Sequence, residues 1–294
     1  MRVIKKILLL SFLFICAWVI LSFLKKEPVG VRQFNSTARE KPVKYLVIHS
    51  FENSPQEMLD ILYQYGLSVH YLIESDGKIH YLVPEEKVAW HAGPSFWAGD
   101  SGLNWTSIGI ELEHPEFGQT EYPSEQIEAL KKLMKKIIKQ YKIRPENIVA
   151  HSDIAPEAKM DPGRGFPWKK LAENGIGLWY NLKDSEKMED FQVSELFSII
   201  GYPTNGRALE ASSWAFRQRF MPEVVPYDDE IAKRGEAIFQ ARQLAANLSP
   251  SEREKVLSKA PIICPKNDGT YLTDPTFIKV LKAVAYRYEQ ARQK

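Results

Sequence analysis

Cysteine is nearly missing from this chain of 294 residues, and the two present, Cys16 and Cys264, are badly placed to pair. Cys16 lies inside an apolar N-terminal stretch, where it could hardly reach a residue of a folded domain, so a disulfide framework is excluded as the source of stability. The fold must rest on a core, and the length is enough for one sizeable domain plus a smaller one. An excess of one charge is missing too: 39 Lys and Arg stand against 37 Asp and Glu, for a net charge of +2. Such a balance gives no concentrated basic face and removes nucleic acid from the expected partners. No internal repeat is evident.

Long uncharged runs are also scarce, with one exception. Arg2, Lys5 and Lys6 precede a run from Ile7 to Leu24, which Lys25 and Lys26 close. That is the pattern of an export signal or a membrane anchor. The run is long for a signal-peptide core and no A-x-A site follows it, so the expectation is a retained anchor over residues 7–24. The stronger cationic flank before the run places the remainder on the far side of the membrane. A cleaved signal is the alternative; lipidation of Cys16 is disfavoured by the bulky Ile15 before it. Residues 1–29 thus read as signal or anchor, and residues 30–43, polar and patternless, as a linker.

Folding is expected to start near Lys44. Tyr45 to Ile48 has the length and β-branched content of a buried strand and delivers His49 at its C-terminal end. Ser54 to Tyr65 has helical spacing, and Val69 to Glu74 with Lys78 to Val83 flank the turn pair Asp76-Gly77 as a hairpin. Ser107 to Glu113 is another strand. Ser124 opens an amphipathic helix to Tyr141, with Ile127, Leu130, Leu133 and Ile137 on one face and lysines on the other. Ile148 to Ala150 is a short strand ending at His151. Strands alternating with helices over residues 44–180 read as an α/β or α+β domain. Residues 187–294 change to helical segments at Val193 to Ile200, Ser212 to Phe220, Asp228 to Leu248 and Asp274 to Gln293, a small helical bundle with an extension.

The stretch from Ala150 to Gly163, with His151, Ile154-Ala155-Pro156, Lys159 and Asp161-Pro162-Gly163 in order, resembles the signature of the N-acetylmuramoyl-L-alanine amidase type 2 family. Tyr45 to His49, Ser68 to Ile73, Ala89-Trp90-His91-Ala92-Gly93 and Asn104 to Glu113 resemble that family's other blocks. The resemblance implies an α/β fold with a central mixed sheet flanked by helices, and a zinc site in a groove at one sheet edge. It implies that His49, His151 and Asp161 bind one Zn2+, that Glu111 is the general base, and that Lys159 steadies the oxyanion. The implied reaction is hydrolysis of the amide bond between N-acetylmuramic acid and L-alanine in peptidoglycan or muropeptides, at the periplasmic face of a bacterial inner membrane. Phe191 to Pro222 resembles a small peptidoglycan-binding domain.

The chemistry agrees with those residue types. Two imidazoles and a carboxylate leave a fourth tetrahedral position on zinc open, which structural sites do not. Glu113 rivals Glu111, since it would share its strand face. His91 is a candidate substrate contact in the groove wall, and Arg164 a candidate partner for a stem-peptide carboxylate. His80 reads as a surface residue, His70 as a packing or supporting one, and His114 as no ligand. A non-catalytic peptidoglycan recognition protein and a zinc peptidase are the rival functions, separated by the complete ligand set and by the identity of the products.

Overall fold

A computed structural model describes residues 33–294 apart from 115–117, 189, 226–229, 246–247 and 265–267. The run at residues 7–24 therefore lies outside the described residues, and among these no helix is long and apolar enough to cross a membrane. In chain order the first part holds β1 (Ser36–Ala38), β2 (Tyr45–Phe51), α1 (Pro55–Gln64), β3 (Tyr71–Ile73), β4 (Ile79–Tyr81), β5 (Lys87–Ala89), β6 (Phe96–Trp97), β7 (Asp100–Ser101), β8 (Ser107–Glu113), α2 (Ser124–Tyr141), β9 (Ile148–Ala150), α3 (His151–Ile154) and α4 (Trp168–Glu173). Five strands form a mixed sheet in the order β4-β3-β8-β2-β9, with only the β3–β4 pair antiparallel.

β2 is an interior strand with both faces covered, which is why its sequence is a nearly continuous apolar run. Leu46 and Ile48 enter the core beneath α2, whose Leu130, Leu133, Met134 and Ile137 meet them across the sheet. Tyr45 and Val47 point to the opposite face, into a second core. His49 continues that second face, because side chains alternate along a strand. It stands within β2 rather than at its end, since the strand runs on to Phe51.

Part of the expected linker is structured. Ser36–Ala38 pairs antiparallel with Lys87–Ala89, and Phe34 and Val43 are buried. Arg39 explains the order: its guanidinium donates to the carbonyls of Glu85, Lys87, Trp105 and Ser107. A single half-buried arginine satisfying four carbonyls leaves no periodic trace in a sequence.

The helical region holds α5 (Val193–Ile200), α6 (Ala208–Phe220), α7 (Ile231–Ala245), α8 (Pro250–Leu257) and α9 (Pro275–Gln293). Leu196, Phe197, Phe216, Phe220, Phe277, Leu281 and Tyr288 of α5, α6 and α9 share one core with Tyr45, Val47, Trp97 and Val149 of the sheet region. Residues 34–294 accordingly form a single compact unit. A buried ion pair reinforces the join: Arg219 on α6 donates to Asp153 on α3 and to the Ile148 carbonyl, while Tyr202 donates to the other Asp153 oxygen. Cys264 is a buried free thiol.

Candidate metal centre

Three elements bring the candidate ligands together. β2 supplies His49, the first residue of α3 supplies His151, and the loop after α3 supplies Asp161, whose bond to Pro162 is cis. His49 Nδ1 lies 2.9 Å from His151 Nδ1, His151 Nδ1 lies 3.0 Å from Asp161 Oδ2, and His49 Nδ1 lies 3.3 Å from the same oxygen. Bonds of about 2.0–2.1 Å to a tetrahedral zinc would separate the donor atoms by about 3.3 Å. The triangle of donors is therefore of the right size for such an ion, slightly contracted.

The direction of the His49 lone pair follows from a chain of hydrogen bonds. Ser107 Oγ is 2.6 Å from the Leu103 carbonyl, which can only accept, so the hydroxyl proton goes there. His91 Nε2, 3.1 Å from Ser107 Oγ, must then donate to it, which leaves His91 Nδ1 as an acceptor. That atom lies 2.9 Å from His49 Nε2, so His49 carries its proton on Nε2 and turns a bare Nδ1 to the cluster. Burial, followed by the influence of neighbouring histidines, depresses the His91 pKa far below the ordinary range and keeps that ring neutral. Burial likewise lowers His151 to about 3. Burial opposes ionisation of Asp161, yet His151 and His49 hold its carboxyl well below the usual carboxylate range. A neutral His151 beside an ionised Asp161 is the protonation state that metal binding requires.

Glu111 stands opposite His49 in the parallel register of β2 and β8. It is buried, and its Oε2 has no hydrogen-bond partner. Burial raises its pKa to about 7, with Asp161 adding to the rise and His49 and Lys159 opposing it. Glu113 is different: its carboxylate accepts from the backbone and hydroxyl of Ser75 at 2.7 and 2.9 Å. The structure thus separates the two rivals, one committed to a turn and the other facing the cluster. Lys159 is half-buried, and its charge acts on both Glu111 and His151.

His91 and Arg164, the two candidate substrate contacts, are both half-buried and already make hydrogen bonds within the protein. Both ring nitrogens of His91 are engaged, by His49 and Ser107, so the ring also supports His49. Arg164 donates to the Val225 carbonyl at 2.6 Å. His80 is paired with Glu74 and only 13% exposed at its side chain, not a surface residue. His70 accepts from the Gly109 amide at 3.1 Å and contacts the Lys87 carbonyl, a packing role. His114 accepts from the Gly118 amide and packs on Tyr122, away from the ligand set. His49 stands on a face of the interior strand β2, and His151 directly follows β9, the strand at one edge of the sheet.

A sequence profile of the N-acetylmuramoyl-L-alanine amidases matches residues 39–164. The N-acetylmuramoyl-L-alanine amidase AmiD of Escherichia coli (strain K12) is 46% identical over 230 residues, covering 68% of this chain and 82% of that protein. The chain belongs to the N-acetylmuramoyl-L-alanine amidase family. The 1,6-anhydro-N-acetylmuramyl-L-alanine amidase AmpD of Enterobacter cloacae is 43% identical over 106 residues, 36% of this chain and 56% of AmpD. Among solved structures, E. coli AmiD with anhydro-N-acetylmuramic acid-L-Ala-D-gamma-Glu-L-Lys superposes with a TM-score of 0.58 at 35% identity, over 64% of this chain and 85% of that one. AmpDh3 from Pseudomonas aeruginosa gives 0.56 at 31%, over 67% and 90%.

Within this amidase, two residues that position the site carry no signature of their own. Ser107 opens a strand and ends the relay. Gly109 lies under the His91 ring, where a Cβ would sit 2.6 Å from ring atoms. A glycine inside a strand often marks such a close approach, and that was the available signal.

Proposed function

We propose that His49, His151 and Asp161 hold one zinc ion, and that the amidase uses it to cut the bond between N-acetylmuramic acid and L-alanine in muropeptides. The observation that carries this reading is the convergence of three donor atoms within 2.9–3.3 Å beside a buried carboxylate with an unpartnered oxygen. A zinc ion held there would supply Lewis-acid polarisation of the scissile carbonyl and a water of lowered pKa. Glu111 accepts the water's proton and passes it to the leaving amine of L-alanine, a role that suits a carboxyl titrating near neutrality. Lys159 offers a fixed positive charge to the carbonyl oxygen as negative charge grows on it. The His49–His91–Ser107 relay holds one ligand in its tautomer, so His91 acts through His49.

Two relatives support muropeptides as the substrate class, since AmiD and AmpDh3 are described with anhydromuramic peptides. Metal analysis of the purified protein tests the reading: about one zinc per chain is expected, retained in Glu111→Gln and lost in Asp161→Ala. Equal zinc in both variants would refute the ligand assignment. The relation to cell-wall turnover also rests on the run from Ile7 to Leu24, from which we infer export and anchoring at the periplasmic face. Fractionation of cells producing the full chain would place it with the inner membrane; recovery from cytosol would contradict this. Wall binding by the helical region, inferred from the resemblance over Phe191 to Pro222, predicts that the full chain sediments with purified sacculi.

A further inference from the structure

The two helices α7 and α8 are inserted between the bundle helices α6 and α9, outside the stretch that the family profile matches. α7 packs against the loops around Lys159 and His91. Ile238 and Ile263 share a core with Ala158 and Met160, the residues on either side of Lys159. The Ile263 amide donates to the Glu157 carbonyl at 2.9 Å. Phe239 meets Tyr65, just past α1, edge-on with ring centres 5.2 Å apart. Arg242 reaches the loop that follows His91, with Nη1 4.0 Å from the place a Cβ on Gly93 would take.

Arg242 thereby lines a cavity of about 380 Å³ whose other walls include Ser95, Ile154 and Glu157. Glu157 is the acid nearest in charge to Arg242, but Arg207 Nε holds its carboxylate at 2.5 Å. Arg242 itself makes no hydrogen bond or ion pair among the described residues. Burial works against its charge, with Glu157 opposing. A guanidinium is a planar fork of five donors matched to a carboxylate, and leaving it unpaired in a partly buried cavity is unfavourable. This one sits beside the loops that carry Lys159 and His91.

We propose that this cavity is a carboxylate subsite of the amidase, in which Arg242 receives an acid group of the stem peptide. The proposal rests on the hydrolytic reading above. A γ-linked D-glutamyl residue keeps its α-carboxylate free one residue beyond L-alanine, and it is the acid closest to the scissile amide. Replacing that carboxylate by a carboxamide removes the charge but keeps the shape.

The test compares the full-length protein and its Arg242→Ala and Arg242→Lys variants on two muramyl tripeptides, one with D-glutamate and one with D-isoglutamine. In the wild type the acid form should have the lower KM by roughly tenfold to a hundredfold, the worth of a charge-assisted contact. That ratio should fall to about one in R242A and recover in part in R242K. An unchanged ratio in R242A, or an equal loss on both substrates, overturns the subsite. Binding of the peptide L-Ala-D-γ-Glu-L-Lys is read separately by calorimetry. Peptide bound through Arg242 without any cleavage of muramyl peptides would sink the hydrolytic reading and keep the subsite, while cleavage with an Arg242-independent ratio would sink the subsite alone.

Discussion

Two buried polar clusters lie two residues apart on α3, and they are built oppositely. Around Asp153 both carboxylate oxygens are taken, by the Ala150 amide, Tyr202 and Arg219, and the guanidinium of Arg219 also covers the Trp168 ring. Around His151 the donor atoms face one another and Glu111 Oε2 has no partner. Buried polar groups are normally satisfied, so the first cluster is what a fold needs and the second is what chemistry needs. The contrast predicts that damage to one should unfold the protein and damage to the other should only silence it.

The largest effects should come from the second cluster. Asp161→Ala and Glu111→Gln should each lower kcat/KM by about a hundredfold to ten-thousandfold, with the folded protein recovered in normal yield. Loss of folding in either would erase the distinction. Arg219→Ala should do the reverse: removing one partner of a buried pair costs about 3–5 kcal/mol, read as a lower midpoint in urea unfolding. Enzyme that remains folded should keep near-normal turnover.

Glu111 sharpens the comparison by titration. Its pKa is raised from 4.5 to about 7, so the folded state binds its proton more tightly than the unfolded chain does. Ionised Glu111 then destabilises the fold, fully above pH 7 and not at all below about 4.5. E111Q should therefore be more stable than the wild type at pH 8, by about 1–3 kcal/mol in metal-free protein, and the gain should vanish toward pH 4.5. Activity has the opposite slope: the basic form is lost as Glu111 is protonated, so kcat/KM should fall toward acid, with the limb below pH 7 because a zinc ion's charge would favour the carboxylate. In Lys159→Met that acid limb should move to higher pH, because Lys159 favours the ionised form. A limb that stays in place would remove Lys159 from the site's electrostatics.

The smallest effect concerns the relay. Gly109→Ala places a methyl group 2.6 Å from His91 and must displace the ring. Zinc affinity should fall roughly tenfold to a hundredfold, the usual consequence of disturbing a ligand's hydrogen-bond partner. Unchanged affinity would show that His49 is oriented without His91.

Much of this was readable in the sequence where one physical period dominates. Ser107–Glu113 and Ser124–Tyr141 match the expected strand and helix end to end, because a two-sided buried strand and an amphipathic helix each repeat one pattern. The candidate ligand set was legible through a local signature from His151 to Asp161 and a separate block ending at His49. What escaped depends on distant partners. β1 is ordered by Arg39 and β5, the relay behind His49 joins residues over 58 positions, and α7 reaches the catalytic loops only through tertiary packing. The third bundle helix, α9, lies beyond the insertion, so no contiguous stretch announces the bundle.

The most direct measurement incubates the full-length protein with a 1,6-anhydro-muropeptide, with chelator and then with restored zinc, and identifies the products by mass. Release of a peptide beginning at L-alanine, abolished by chelator and returned by zinc, is the predicted result. Cleavage that survives chelation, or products cut within the peptide stem, would contradict it.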